Sequence, residues 1–193
     1  MKFKKLFAAI SVLFVMGTSA FAFDGETFWR EYGAGLKDGD GLFSVGMALD
    51  AMAFPLWSTY PGAFYLPYVE TSYEKMVHIN DMLPFSFGGY GGGNILVHNT
   101  DEVNRFFTWI RMGALAKYHF NFDVENLDVY AGVKIGFDFE IWLEDNEMLK
   151  NHNLFNIDWN GLVGASWRCT DKLLFTAESG YPYLLALKLT FQN

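Results

Sequence analysis

From Leu127 to Leu143 the chain alternates without a break. Leu127, Val129, Ala131, Val133, Ile135, Phe137, Phe139, Ile141 and Leu143 fall on one side, and Asp128, Tyr130, Gly132, Lys134, Gly136, Asp138, Glu140 and Trp142 on the other. A period of two marks a β-strand. One face is apolar at every position and the other carries both signs of charge, the pattern of a wall between lipid and a polar lumen. Residues 106–122 repeat it, with Ile110, Met112, Ala114, Ala116, Tyr118 and Phe120 opposed to Arg111, Gly113, Lys117 and His119. The polar stretch from Asp123 to Asn126 between the two strands predicts a hairpin.

The scheme continues to the end of the chain. Ile157, Trp159, Gly161, Val163, Ala165 and Trp167 share one face before a turn at Thr170-Asp171-Lys172. Leu173, Phe175 and Ala177 then alternate with Leu174, Thr176 and Glu178, and Tyr183, Leu185, Leu187, Leu189 and Phe191 form an apolar face against Ala186, Lys188 and Thr190. Trp159 and Trp167 are about 26 Å apart along a strand, or about 20 Å after a tilt of about 40°, close to the height of a membrane barrel's apolar band. They are expected to mark its two aromatic girdles, together with Tyr118, Phe120 and Tyr183. Earlier in the chain the pattern predicts strands over 42–54, 65–77 and 83–92, a loop from Pro55 to Ala63 and a turn from His78 to Met82, with 23–40 as a leader. The count is eight. The expected fold is therefore all-β, an eight-stranded antiparallel up-and-down transmembrane barrel, and its even strand number puts both ends of the sheet on the periplasmic side.

Two features of the N-terminus fix the compartment. Lys2, Lys4 and Lys5 precede a run from Leu6 to Phe23 without a charge, and Ala20 and Ala22 satisfy a small-residue cleavage rule. Residues 1–22 are thus expected to be a secretion signal, and 23–193 the barrel domain. After residue 22 no run approaches the roughly 18 apolar residues of a membrane-spanning helix. Loss of the three leader lysines leaves 11 basic residues against 22 acids, about −11 in net charge, which argues against a nucleic-acid partner. Cys169 is the single cysteine, so no internal disulfide is available.

The run Gly161 to Lys172, followed by Ala177-Glu178-Ser179-Gly180-Tyr181 and Leu185-Ala186-Leu187-Lys188-Leu189-Thr190-Phe191, resembles the C-terminal half of small outer-membrane barrels of the OmpX, OmpW and OmpA transmembrane type. The resemblance implies a Thr-Asp-Lys periplasmic turn before a strand with an inward glutamate. It also implies that Phe191 is the terminal aromatic read by the barrel-assembly machinery, although Gln192 and Asn193 follow it.

Candidate chemistry is sparse. The four histidines lack metal-ligand spacing, and Asp38-Gly39-Asp40-Gly41 lacks the glutamate that would complete a calcium loop. The run Gly88-Gly89-Tyr90-Gly91-Gly92-Gly93 has no phosphate-loop lysine, and its expected role is a strand bending at a rim into a loop. No cofactor or metal is expected. The polar constellation that alternation turns inward is Asp50, Glu70, Glu74, Asp138, Glu140 and Glu178 against Arg111, Lys117, Lys134 and Lys188. In a lumen of this size such charges must pair. Alternation puts Lys134 and Asp138 on the same side as Arg111 and Lys117 of the hairpin partner, so these are expected to pair, and a pair such as Glu178 with Arg111 that can switch is the functional alternative. The functional reading is a monomeric, non-enzymatic barrel in outer-membrane lipid. Its loops near 55–64, 93–104 and 144–153 would serve adhesion, envelope integrity or host contact through an extracellular ligand. The alternatives are a narrow channel or conduit for small hydrophobic solutes and a lipid-modifying enzyme.

Overall fold

In the computed structural model, residues 35–50, 62–79, 83–99, 104–120, 122, 124–144, 153–180 and 183–193 are described. They form eight strands: β1 (Gly41–Asp50), β2 (Phe64–Ile79), β3 (Leu83–Asn99), β4 (Asn104–Phe120), β5 (Leu127–Glu144), β6 (Asn153–Thr170), β7 (Leu173–Gly180) and β8 (Tyr183–Gln192). Each pairs antiparallel with the next, and β8 returns to β1, so the sheet closes into a barrel. The expected signal peptide lies outside the described residues, as do residues 51–61 of the first loop and 145–152 of the third.

Alternation decides which side chains face out. Phe43, Met47, Leu49, Met112, Val133, Ile135, Phe137, Trp159, Leu187 and Phe191 are all exposed. A continuous apolar exterior of this kind is not a water-facing surface; in a bilayer it lies against acyl chains. The connections at the end holding Gly41 and Gln192 are shorter than those after β1 and β5 at the other end, which makes the former the periplasmic end. The wall is uneven in height. Strands β3 to β6 have 17–18 residues, which is about 40–45 Å after a tilt of about 40°, whereas an apolar band is about 25 Å tall. Strands β1, β7 and β8 have 8–10 and barely span it.

Several boundaries differ from the sequence expectation. β2 continues to Ile79, so the turn before β3 begins later than His78. β3 continues to Asn99, so the glycine run lies in the middle of a strand and the second loop is confined to residues 100–103, not 93–104. The reason is lateral. Inward-facing Gly92 lies beneath the Tyr68 ring, where an added Cβ would sit 2.8 Å from the tyrosine Cζ and hydroxyl; the missing side chain on β3 is replaced by a ring from β2. β6 begins at Asn153, ahead of Ile157.

Tyr183 is a correction of face. The pairing of β8 shifts register against β7 beyond Glu178 and against β1 at Leu49/Asp50, so that Leu184 and Leu185 both point outward. Such a bulge reverses parity. Tyr183 consequently turns into the lumen with 3% of its surface exposed and is no girdle residue, whereas Trp159, at 72%, faces out.

The last part of the leader is ordered against the periplasmic end. Gly39 N and Asp40 O bond the backbone of Met76, and Asp38 Oδ1 accepts from His78 N at 2.9 Å. Leu36 thereby packs with Leu42, Met76 and Leu174 as an apolar stopper.

Candidate functional site

The inward positions of all eight strands converge on a lumen filled with paired charge. At its centre, Lys134 Nζ lies 2.7 Å from Glu70 Oε1 and 2.8 Å from Glu178 Oε1, and Lys188 Nζ reaches the same two oxygens at 2.7 and 2.9 Å. Two lysines and two glutamates from β2, β5, β7 and β8 thus form a closed square. Tyr183 donates its hydroxyl hydrogen to Glu70, and Tyr130 donates to Glu178 Oε2 at 3.1 Å. Toward the periplasm Lys117 Nζ binds Glu74 Oε1 at 2.7 Å and stands 3.6 Å from Glu178. Beside it, hydroxyls bridge four strands: Ser44 to Thr190 at 2.8 Å, Thr190 to Thr176 at 3.0 Å and Thr176 to Ser166 at 2.8 Å.

Toward the loops a second cluster holds Arg111. Its Nε and Nη2 donate to the two oxygens of Asp138 at 2.5 and 2.8 Å, Nη2 also donates to Asp158 at 2.6 Å, and the guanidinium sits 4.5 Å above the Trp109 ring. Beyond it Leu96, Phe107 and Trp109 form a buried apolar cluster, with Tyr65 and Trp142 packed against them.

The expected interior residues are therefore distributed over two clusters. Glu70, Glu74, Lys117, Lys134, Glu178 and Lys188 share one; Arg111 and Asp138 share the other. Arg111 pairs with its hairpin partner Asp138, as expected, because β4 meets β5 in register at Arg111↔Asp138; its second partner is Asp158 and not Glu178, while Lys117 and Lys134 take Glu74, Glu70 and Glu178. Glu140 is half-buried and joins no ion pair among the described residues, and the side chain of Asp50 lies outside them. Tyr118 and Phe120 pack edge-to-face on the outside with ring centroids 4.9 Å apart. Trp167 and Phe191 are exposed on the same apolar exterior.

Sequence reasoning missed a third group. His119 Nδ1 lies 2.9 Å from Asp128 Oδ1 and its Nε2 lies 3.0 Å from Ser86 Oγ, the connectivity of a serine–histidine–aspartate triad. It cannot act as one. A nucleophilic serine must pass its proton to the histidine, but Ser86 donates to Glu74 Oε2 at 2.7 Å. Ser86 is also fully buried, and the adjoining cavity of about 10 Å³ has room for about one water molecule. The signal that could have found the group was parity, since all three residues lie on inward positions of the successive strands β3, β4 and β5, but alternation does not give the strand register that brings the three to one height.

No protein-family model matches the sequence, and no curated protein matches it. Among solved structures, the chain is similar to Ail, the attachment invasion locus protein of Yersinia pestis. In complex with the heparin analogue sucrose octasulfate, Ail is 10% identical with a TM-score of 0.49, over 81% of this chain and 97% of that one. The structure of Ail described without that ligand gives 10% identity and a TM-score of 0.43 over the same shares.

The chain's own geometry decides the class. It is an eight-stranded outer-membrane type of β-barrel: closed, antiparallel, apolar outside and charged within. Among the described residues no group of three or more histidine, cysteine or acidic side chains is placed to hold a metal ion.

Proposed function

We propose that this chain is exported through residues 1–22 and stands in a bacterial outer membrane as a closed, non-enzymatic barrel whose extracellular connections carry its activity in surface contact or envelope integrity. The observation that carries this reading is the filled lumen. Charges from six of the eight strands neutralise one another across the bore, apolar clusters stand at either end, and the cavity beside Lys117 and Lys188 measures about 10 Å³. A hydrated ion needs a continuous polar path, and a bore crowded with mutually paired charges and apolar clusters supports the closed reading over a channel.

The interior residues then act as a structural plug that fixes the barrel and hence the platform for its loops. Phe191 would serve the assembly machinery, and Trp159 and Trp167 the two lipid interfaces. The polyanionic ligand of Ail is not carried over, because this chain is itself acidic, at −8 in full.

Conductance across a planar lipid bilayer tests the central point. The refolded protein should give no steady current, and discrete current steps would overturn the reading in favour of a channel. Protease treatment of intact cells displaying the protein should abolish any surface binding it confers; binding that survives removal of the loops would refute their role.

A further inference from the structure

Among the outward-facing strand positions whose side chains are described, one is charged: Lys75 on β2. It is exposed, and no acidic side chain lies within ion-pair distance of it among the described residues. Val77 and Ile79, further along the same face, are apolar and exposed, so Lys75 rises from inside the apolar belt. It stands four residues before the end of β2, about 10 Å in height from that strand's periplasmic end at a tilt of about 40°. An ionisable residue in such a place is unfavourable unless something meets its charge.

Directly above Lys75 the outer wall is hollow. Gly89 and Gly91 of β3 present no side chain to the lipid. Phe43, Thr71 and Tyr73 stand on one side of them and Met112 and Phe137 on the other, enclosing an open groove of about 530 Å³. That is within the size of small-ligand sites, about 300–1,000 Å³. Tyr73 and Gly89 are ladder partners, as are Lys75 and Phe87 one row below. The groove therefore begins at Tyr73, two residues along β2 from the lysine and on the same face, and runs away from the periplasmic end toward the middle of the membrane.

We propose that this groove binds one glycerophospholipid of the periplasmic leaflet, with an acyl chain over Gly89 and Gly91 and the phosphate on Lys75 Nζ. Three features select that occupant. The groove lies at acyl-chain depth, its lining is mostly apolar, and the cation stands at the end where a lipid of that leaflet carries its phosphate. Lysine can meet it by extending its stem along the wall toward the headgroups. This inference rests on the membrane-barrel reading given above.

Native mass spectrometry of the refolded protein, released from neutral detergent with added dimyristoylphosphatidylglycerol, tests it. Dimyristoylglycerol serves as the probe without a phosphate. The protein should retain one phosphatidylglycerol, and Lys75→Met should weaken retention about tenfold, the scale of one charge-assisted hydrogen bond. Lys75→Arg should restore it. Gly91→Leu should fill the groove and lower retention without harming the fold, because the nearest atom to a Cβ at Gly91 is the Arg111 carbonyl oxygen at 3.9 Å. Heat-dependent gel migration reports separately whether each variant forms a barrel. Equal retention by wild type and Lys75→Met, by wild type and Gly91→Leu, or of the two lipids would overturn the proposal while leaving the barrel intact. Loss of heat-dependent migration in the wild type would instead overturn the barrel reading.

Discussion

Replacing Lys134 by methionine probes the plug at its centre. Lys117, Lys134 and Lys188 face Glu70, Glu74 and Glu178, three positive charges against three negative, and all six are buried. Lys134→Met keeps most of the volume and removes one charge, leaving the group at −1. Glu70 and Glu178 would then share Lys188 alone at hydrogen-bond distance, with Lys117 3.6 Å from Glu178. Breaking a buried pair costs about 3–5 kcal/mol. The loss should sit in that range because Lys134 serves two carboxylates and also donates to the Tyr183 hydroxyl at 3.0 Å. Urea unfolding of the barrel in phospholipid vesicles, followed by tryptophan fluorescence, measures it. A second substitution, Glu178→Gln, made on the Lys134→Met background, restores neutrality and should recover a large part of the loss. If Lys134→Met unfolds at the wild-type urea concentration, or if the added Glu178→Gln makes matters worse by a full further increment, the charges are hydrated individually and the reasoning fails.

Three further outcomes are expected. Val133→Lys, on the outward face of β5, should cost about 2–4 kcal/mol in a bilayer and slow assembly; refolding yield into vesicles measures it, and a harmless lysine there would contradict a lipid-facing wall. Tyr183→Phe should cost about 1–3 kcal/mol by leaving Glu70 and Lys134 each short of a buried partner, and an unfolding midpoint equal to wild type would return the residue to the outside. Ser86→Ala should lower stability by a similar amount while leaving hydrolysis of p-nitrophenyl esters at the buffer rate in both proteins; a serine-dependent rate would make the His119 group catalytic after all.

The parts of this fold that were legible from the chain are those where alternation is unbroken. On β5 the nine apolar positions from Leu127 to Leu143 and the charges opposite them place Lys134 and Asp138 inside by alternation alone. Parity fails wherever one residue is inserted. At Leu184/Leu185 two apolar side chains point outward in succession, and counting back from Phe191 therefore assigns Tyr183 to the wrong face. The extent of β3 was obscured for a different reason. Gly92 has no side chain to show which side it faces, and its place is specified by Tyr68 on the neighbouring strand. Partner choice across the bore was the least accessible. Glu178 and Arg111 are both inward, but barrel stagger sets them at different heights, and only the ladders fix which acid meets which base.

The seam between β1 and β8 bears on how the barrel is made. It joins residues 41–50 to 183–192, and Ser44 meets Thr190 across 146 positions of sequence. Forming it means closing nearly the whole chain into a ring, a step whose entropic cost comes due before its contacts form. Lys188 of β8 also neutralises Glu70 of β2, on the far side of that seam. An eight-stranded sheet still open there would hold unpaired backbone edges in hydrocarbon and would leave Lys188 and Glu70 without each other. Both penalties vanish at the same instant, when the edges meet. Closure is therefore expected to be the concerted final event of assembly, and its reversal the barrier that determines how long the finished barrel lives.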